Sequence, residues 1–300
     1  MPVTTIRGVD IAYEILGSDG PWVSITPGGR RGMDAQRPLA ALIADAGFRV
    51  LIYDRRNTGA SGIGFPGSSE SEEQAEDLSA LLRDLRTGPA YIAGSSSGAR
   101  MSLLLAHRYP DAVHGLLLWR VTGGAHAAEC LAFNYYEQYI DTVDRGGIDA
   151  VLATEHFAAM AQANPASGET LRRMGAAAFR EAMVRWLAGF RAGCAYPVAG
   201  IDSPDIRRTF AGHSPDIRRT FAGHSPDIRR IGVPAIVVPG NDKIHPPAVA
   251  QAAHRMLRNS VYREVVTRQV NEDADQINWD PATGRLAARF IDFLRAGDGR

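Results

Sequence analysis

Five residues, Gly94-Ser95-Ser96-Ser97-Gly98, hold a serine between small neighbours, a spacing suited to covalent chemistry. An apolar run, Ala90-Tyr91-Ile92-Ala93, precedes them and a helix-forming run, Ala99 to Ala106, follows, so the pattern predicts strand, tight turn, helix. Small residues on both sides let the chain bend sharply and lift the Ser96 hydroxyl into a strained, exposed position where it can attack an electrophile. A nucleophilic serine also needs a general base within hydrogen-bond reach. Gly- and Ser-rich chains produce G-x-S-x-G by chance, so the surrounding elements carry the argument.

Those elements alternate. Residues 6–16 read as two short strands around Gly8-Val9-Asp10, and Trp22 to Thr26 as a third, ending at Pro27-Gly28-Gly29. A helix around Leu39–Ala44, a buried strand from Phe48 to Asp54, a helix from Glu72 to Leu85, the strand Ala90–Ala93, the helix Ser97–Arg108 and a strand Val113–Arg120 follow. Strands separated by helices imply a parallel sheet covered on both faces, with the ligand crevice at the strands' carboxyl ends. After an interruption, Val233 to Gly240 reads as a buried strand, Tyr262 to Val270 as the last one, and a closing helix runs to Leu294.

Composition agrees with one large globular unit. The 300 residues are 45% hydrophobic and 22% charged, enough apolar material for a generous core. Lys+Arg and Asp+Glu both number 33, so no net field draws the chain to nucleic acid or to anionic lipid. The opening residues lack the basic and apolar blocks of a secretory signal, and no apolar stretch approaches the roughly 20 residues of a membrane span. The expectation is a cytoplasmic enzyme acting on a small molecule, with no nucleic-acid or membrane partner and with a homodimer left open. Cys130 and Cys194 have no C-x-x-C spacing, so neither a disulfide framework nor a metal site is indicated, and both are expected to be buried and inert. No cofactor is implied.

With the serine turn at this depth in the alternation, the chain resembles the α/β-hydrolase superfamily, in the branch with a serine nucleophile elbow and a helical lid. The resemblance implies a mostly parallel twisted sheet with helices on both faces. It implies that Asp54-Arg55-Arg56-Asn57-Thr58-Gly59-Ala60-Ser61 is a structural segment shaping the wall of the site. It also implies that Pro27-Gly28-Gly29 stands where relatives carry His-Gly. The oxyanion donors would then be the Gly29 and Ser97 amides, and losing one such donor typically costs about 3 kcal/mol. Asn241-Asp242-Lys243-Ile244-His245-Pro246-Pro247 resembles the family's acid loop, which makes Asp242 the candidate acid. Arg30 and Arg31, beside the proposed oxyanion hole, are candidates for a substrate carboxylate.

The base is where the resemblance fails. The family's histidine follows the last strand, yet no histidine comes after His254, and that loop offers Glu272, Asp273, Asp275 and Asp280 instead. Three readings stay open. His245, three residues past Asp242, serves as base from the neighbouring loop, with His126 just beyond the sixth strand as a second candidate. Alternatively a buried carboxylate of the last loop takes the proton, its pKa raised by desolvation. In the third reading the fold has left ester hydrolysis for a lyase, cyclase or decarboxylase-like reaction, or for ligand binding alone. His107, His114, His156 and His254 read as helix or surface positions.

Two further segments complete the plan. Residues 122–200 read as helical throughout, and as a lid whose Met and aromatic residues roof an apolar pocket while mostly packing one another. Ser203 to His213 recurs identically as Ser214 to His224, with a partial third copy from Ser225 to Arg230; each full copy reads as a two-turn helix within a tolerated duplication. The expected organisation is a core in two parts, 1–121 and 231–300, a lid at 122–200 and a repeat segment at 201–230. The expected activity is hydrolysis of an ester or lactone of a small, largely apolar substrate through an acyl-enzyme on Ser96, with a non-standard or relocated base.

Overall fold

Arg7 and Gly8 turn the chain between β1 (Val3–Ile6) and β2 (Val9–Leu16), which pair antiparallel. In the computed structural model, which describes residues 1–194, 228–266 and 278–299, six further strands extend this hairpin. They are β3 (Trp22–Thr26), β4 (Arg49–Tyr53), β5 (Ala90–Ser95), β6 (Val113–Trp119), β7 (Ala235–Val238) and β8 (Ser260–Tyr262). The spatial order is β1-β2-β4-β3-β5-β6-β7-β8, and every pair from β4 to β8 is parallel. Strand order reverses at β3, between β4 and β5, and that reversal opens a crevice at the carboxyl ends.

Alternation along each strand covers both faces. Leu51, Ile92, Leu116 and Val237 pack with α2 (Glu70–Asp84), α3 (Ser97–Arg108) and α8 (Pro247–Met256). Ile52, Ala93, Leu117 and Ile236 point the other way, against α1 (Arg37–Asp45) and α9 (Thr283–Asp298). Long apolar runs buried on both faces are what a parallel sheet demands.

Between β6 and β7 the described residues form a helical insertion. It comprises α4 (Ala125–Ala132), a π-helical turn (Phe133–Glu137), α5 (Gln138–Leu152), α6 (Glu155–Ala163) and α7 (Pro165–Cys194). Tyr139, Phe157, Met160, Phe179, Met183 and Trp186 bury one another in a separate core, with Phe65 from the loop after β4 wedged against Phe179 and Trp186. Most of the described aromatic and Met residues therefore serve the insertion itself, while Tyr135 reaches the crevice wall. Among the described residues no helix is long and apolar enough to cross a membrane.

Two expectations change. The last strand ends at Tyr262 instead of continuing, because its partner β7 stops at Val238; the Arg263 amide still reaches Val237 O at 3.0 Å, after which Val265 turns into the core. Residues 267–270, like both full repeat copies, lie outside the described residues. Cys130 is half-buried on α4 instead of fully enclosed, with its sulfur 3.5 Å from His126 Nε2.

Candidate active site

Register brings the chemistry together. Thr26 pairs with Gly94, Ser95 with Trp119, and Trp119 with Val238, so four adjacent strands end at one level. Past those ends lie Gly28-Gly29, Ser96, Arg120 to Thr122, and Gly240 to His245. Ser96 takes φ 54° and ψ −117°, a conformation that ordinary residues avoid and that marks strain at a sharp turn. The flanking glycines make it attainable, since a Cβ on Gly98 would lie 2.5 Å from Thr26 O and one on Gly94 would overlap the Gly98 carbonyl.

Among the described residues the Ser96 hydroxyl has two partners, His245 Nε2 at 2.9 Å and Thr122 Oγ1 at 2.9 Å. His245 is 1% exposed. Its Nδ1 stands 2.6 Å from Asp242 Oδ1, and the same oxygen accepts the His245 amide at 2.9 Å. One carboxylate oxygen thus closes the Asp242–His245 turn and also orients the ring. With the Nδ1 proton given to Asp242, Nε2 is free to accept from Ser96. Pro246 and Pro247 then set the chain into α8. Gly240 makes room, since a Cβ there would overlap His245 Cβ and its carbonyl.

The other base candidates fall elsewhere. His126 is exposed on α4 and is not a partner of the Ser96 hydroxyl, because the helix carries it away from the strand ends. Asp280 is exposed at the start of a single 3-10 turn, in no position to be a desolvated base; Glu272, Asp273 and Asp275 lie outside the described residues. His254 bonds Ser260, His114 stacks near Tyr91, and His156 Nε2 lies 3.0 Å from Asn57 O, where burial first and the Arg30 charge next push its pKa down to about 3.

Gly29 takes φ 60°, and Ser97 opens α3, so its amide has no acceptor within the helix. Behind them sits Arg55, 3% exposed, donating to Gly29 O at 2.5 Å and to Ser97 Oγ at 3.3 Å. Asp54 has the wall-shaping part, accepting the Met33 amide at 2.7 Å and the Ala60 amide at 2.8 Å. The expected arginine pair divides. Arg30 is committed to Glu70, to Tyr135 O at 3.1 Å and to the Tyr135 ring at 4.8 Å, because its side chain turns under the insertion. Arg31 alone of the two lines the cavity beside Ser96.

That cavity, about 190 Å³, is bounded by Gly28, Gly29, Ser96, His245, Leu39 and Tyr135, and also by Arg31, Arg120, Asn278 and Asp280. Its wall is mixed instead of largely apolar. Sequence reasoning passed over Arg120 and Thr122, since nothing in the local pattern at the end of β6 distinguishes them. Arg120, at φ 52°, places Nη2 3.4 Å from Asp242 Oδ2 and 3.3 Å from His245 Nδ1, with its guanidinium 5.9 Å from the Trp279 ring centre. Burial and the Arg120 charge hold His245 below the usual imidazole range, although Asp242 pulls the other way. Burial raises the Asp242 carboxyl, but its bonds to His245, with the Arg120 charge contributing, outweigh that and bring it below the usual range. At neutral pH this is a neutral imidazole between a carboxylate and a hydroxyl, the arrangement that moves a proton from serine oxygen.

A parallel sheet with a serine turn after β5, an acid loop after β7 and a helical insertion after β6 defines the fold class. The sequence pattern of the alpha/beta hydrolase fold family matches residues 21–121. The putative carbamate hydrolase RutD of Pantoea ananatis is 36% identical over 110 residues, which are 35% of this chain; the chain spans 39% of that relative's length. Among solved structures, the enol-lactonase of Burkholderia xenovorans superposes with a TM-score of 0.59 at 20% identity, covering 98% of this chain and 99% of that one. A thermophilic esterase of Thermogutta terrifontis gives 0.58 at 19%, covering 99% and 98%. At these identities the structural likeness is one of fold. The chain has the α/β-hydrolase fold, and residues 21–121 carry that family's sequence pattern.

Proposed function

We propose that the protein is a serine hydrolase that cleaves an ester or lactone of a small substrate through an acyl-enzyme on Ser96. The observation that carries this reading is the relay from Ser96 Oγ to His245 Nε2 at 2.9 Å and from His245 Nδ1 to Asp242 at 2.6 Å. In the reaction Ser96 Oγ attacks the carbonyl carbon while His245 Nε2 takes its proton. The tetrahedral oxyanion is held by the Gly29 and Ser97 amides, which Arg55 fixes from behind. Collapse expels the alkoxide, protonated by His245; for a lactone that group stays on the acyl chain. Water, deprotonated by His245, then attacks the acyl carbon and frees Ser96. The helical insertion acts as the lid, Leu131 and Tyr135 being its contributions to the wall.

Relocating the base to the acid loop answers the missing late histidine, and an intact relay weighs against lyase, cyclase, decarboxylase or receptor roles. The relatives named hydrolase, lactonase and esterase support the same class. A serine-reactive phosphonate should add one adduct mass on the Ser96 peptide, and Ser96→Ala should lose at least about 10⁴-fold in hydrolysis of 4-nitrophenyl acetate. Full activity in Ser96→Ala would end the reading.

A further inference from the structure

Two arginines on the wall of the cavity beside Ser96 are used incompletely by the protein itself. The Arg120 side chain is 9% exposed, yet its Nε has no hydrogen-bond partner. Among the described residues its ionic contact is Asp242 Oδ2 at 3.4 Å, a long one. A buried guanidinium whose Nε donor has no acceptor and whose ionic contact is long can still take an anion from the cavity. Arg31 lines the same cavity from the turn after β3 and makes no ion pair among the described residues. It stands close enough to Arg120 for its charge to help lower that group's pKa, after burial. The carboxylate that shares the wall, Asp280, is exposed.

We infer that the cavity selects a substrate that carries a carboxylate, held by the buried Arg120 and the exposed Arg31. This rests on the serine-hydrolase reading and names its substrate class: an ester or lactone with a free acid group. Geometry limits the spacer. One imidazole ring separates Arg120 Nη2, 3.3 Å from Nδ1, from Ser96 Oγ, 2.9 Å from Nε2, so the acid group and the scissile carbonyl are only a few bonds apart. Succinyl- and glutaryl-sized acids match that span and the small cavity.

The test measures binding and turnover separately. Glutarate, its neutral analogue glutaramide and inorganic phosphate are titrated calorimetrically into the full chain, into Arg31→Gln and into Arg120→Met. Glutarate should bind at least tenfold more tightly than either competitor. Arg120→Met should weaken it by about 10- to 100-fold, the range for a charge-assisted pair, and the exposed Arg31→Gln by a smaller factor. Equal binding of glutarate and glutaramide, tighter binding of phosphate, or wild-type affinity in both variants would overturn the carboxylate site. Turnover of 4-nitrophenyl hydrogen glutarate against 4-nitrophenyl acetate keeps the two claims apart. Selective glutarate binding with no cleavage of either ester and no phosphonate adduct would overturn the serine-hydrolase reading and leave the site standing. Cleavage of both esters with equal kcat/KM would do the reverse.

Discussion

Ser96 Oγ lies between His245 Nε2 and Thr122 Oγ1, and the two neighbours differ in chemical demand. The imidazole accepts the serine proton, so the Thr122 hydroxyl is left to donate to the same oxygen, steadying it before attack. His245 can accept only while neutral, and burial together with the Arg120 charge favours that form. The sign follows directly: the base form persists to lower pH than an ordinary histidine allows, so the acid limb of kcat/KM should fall below pH 6.5. Removing the cation in Arg120→Met favours the imidazolium and should move that limb to higher pH. His245→Ala should lose about 10⁴-fold or more in acylation, measured as the pre-steady-state release of nitrophenol, with no such titration remaining. A limb unmoved in Arg120→Met would show that the guanidinium does not tune the base.

At the scale of elements, the acid–base pair depends on the four residues from Asp242 to His245 and on the glycine before them. The loop leaves β7 at Val238 and returns to the sheet as α8, and Asp242 closes its turn by accepting the His245 amide. Gly240 abuts the His245 backbone so closely that any side chain must push the turn outward. Backbone, not the end of a flexible side chain, is what a Cβ would meet, so the displacement passes to the imidazole. Gly240→Ala is expected to lower kcat by about 10²-fold, since misplacement by about 1 Å has that effect. Far-UV circular dichroism should be unchanged and phosphonate labelling slower in proportion. Wild-type kcat in Gly240→Ala would mean that the loop tolerates what this packing forbids.

Across the whole molecule, the insertion is tied to the core by contacts that depend on protonation. His156 on α6 donates from Nε2 to Asn57 O in the wall segment after β4, and its pKa is pushed down to about 3 by burial, with the Arg30 charge contributing. Between that value and the ordinary 6.5, the unfolded chain binds a proton that the folded one refuses. Stability from this site is therefore complete above pH 6.5 and drains away as pH falls toward 3. The melting temperature should drop between pH 7 and pH 5, and His156→Gln, which keeps a donor without titrating, should flatten that slope. An identical slope in the variant would assign the acid sensitivity elsewhere. Trp186 Nε1, donating to Pro66 O at 2.9 Å, is a second tie that pH does not touch.

Much of this protein is written in short-range pattern. The alternation of buried runs with helical ones, the G-x-S-x-G turn and the glycines after β3 determine the fold class and the display of Ser96, because each depends on residues within one strand, turn or helix. Asp242 and His245 are legible as a pair for the same reason, lying three apart in one loop. The choice of base is not local. His245 and His126 both follow strands at one edge of the sheet, and only the register of β5, β6 and β7 puts the first on the serine oxygen and leaves the second on an exposed helix. Arg120 is invisible to sequence for a related reason: an arginine after a strand becomes a charge beside the imidazole only when the neighbouring loop folds over it. Sequence alone thus determined which serine the strained turn displays. Tertiary structure decided which side chain lies beside it, since hydrogen-bond reach is a matter of a few ångströms between residues far apart in number.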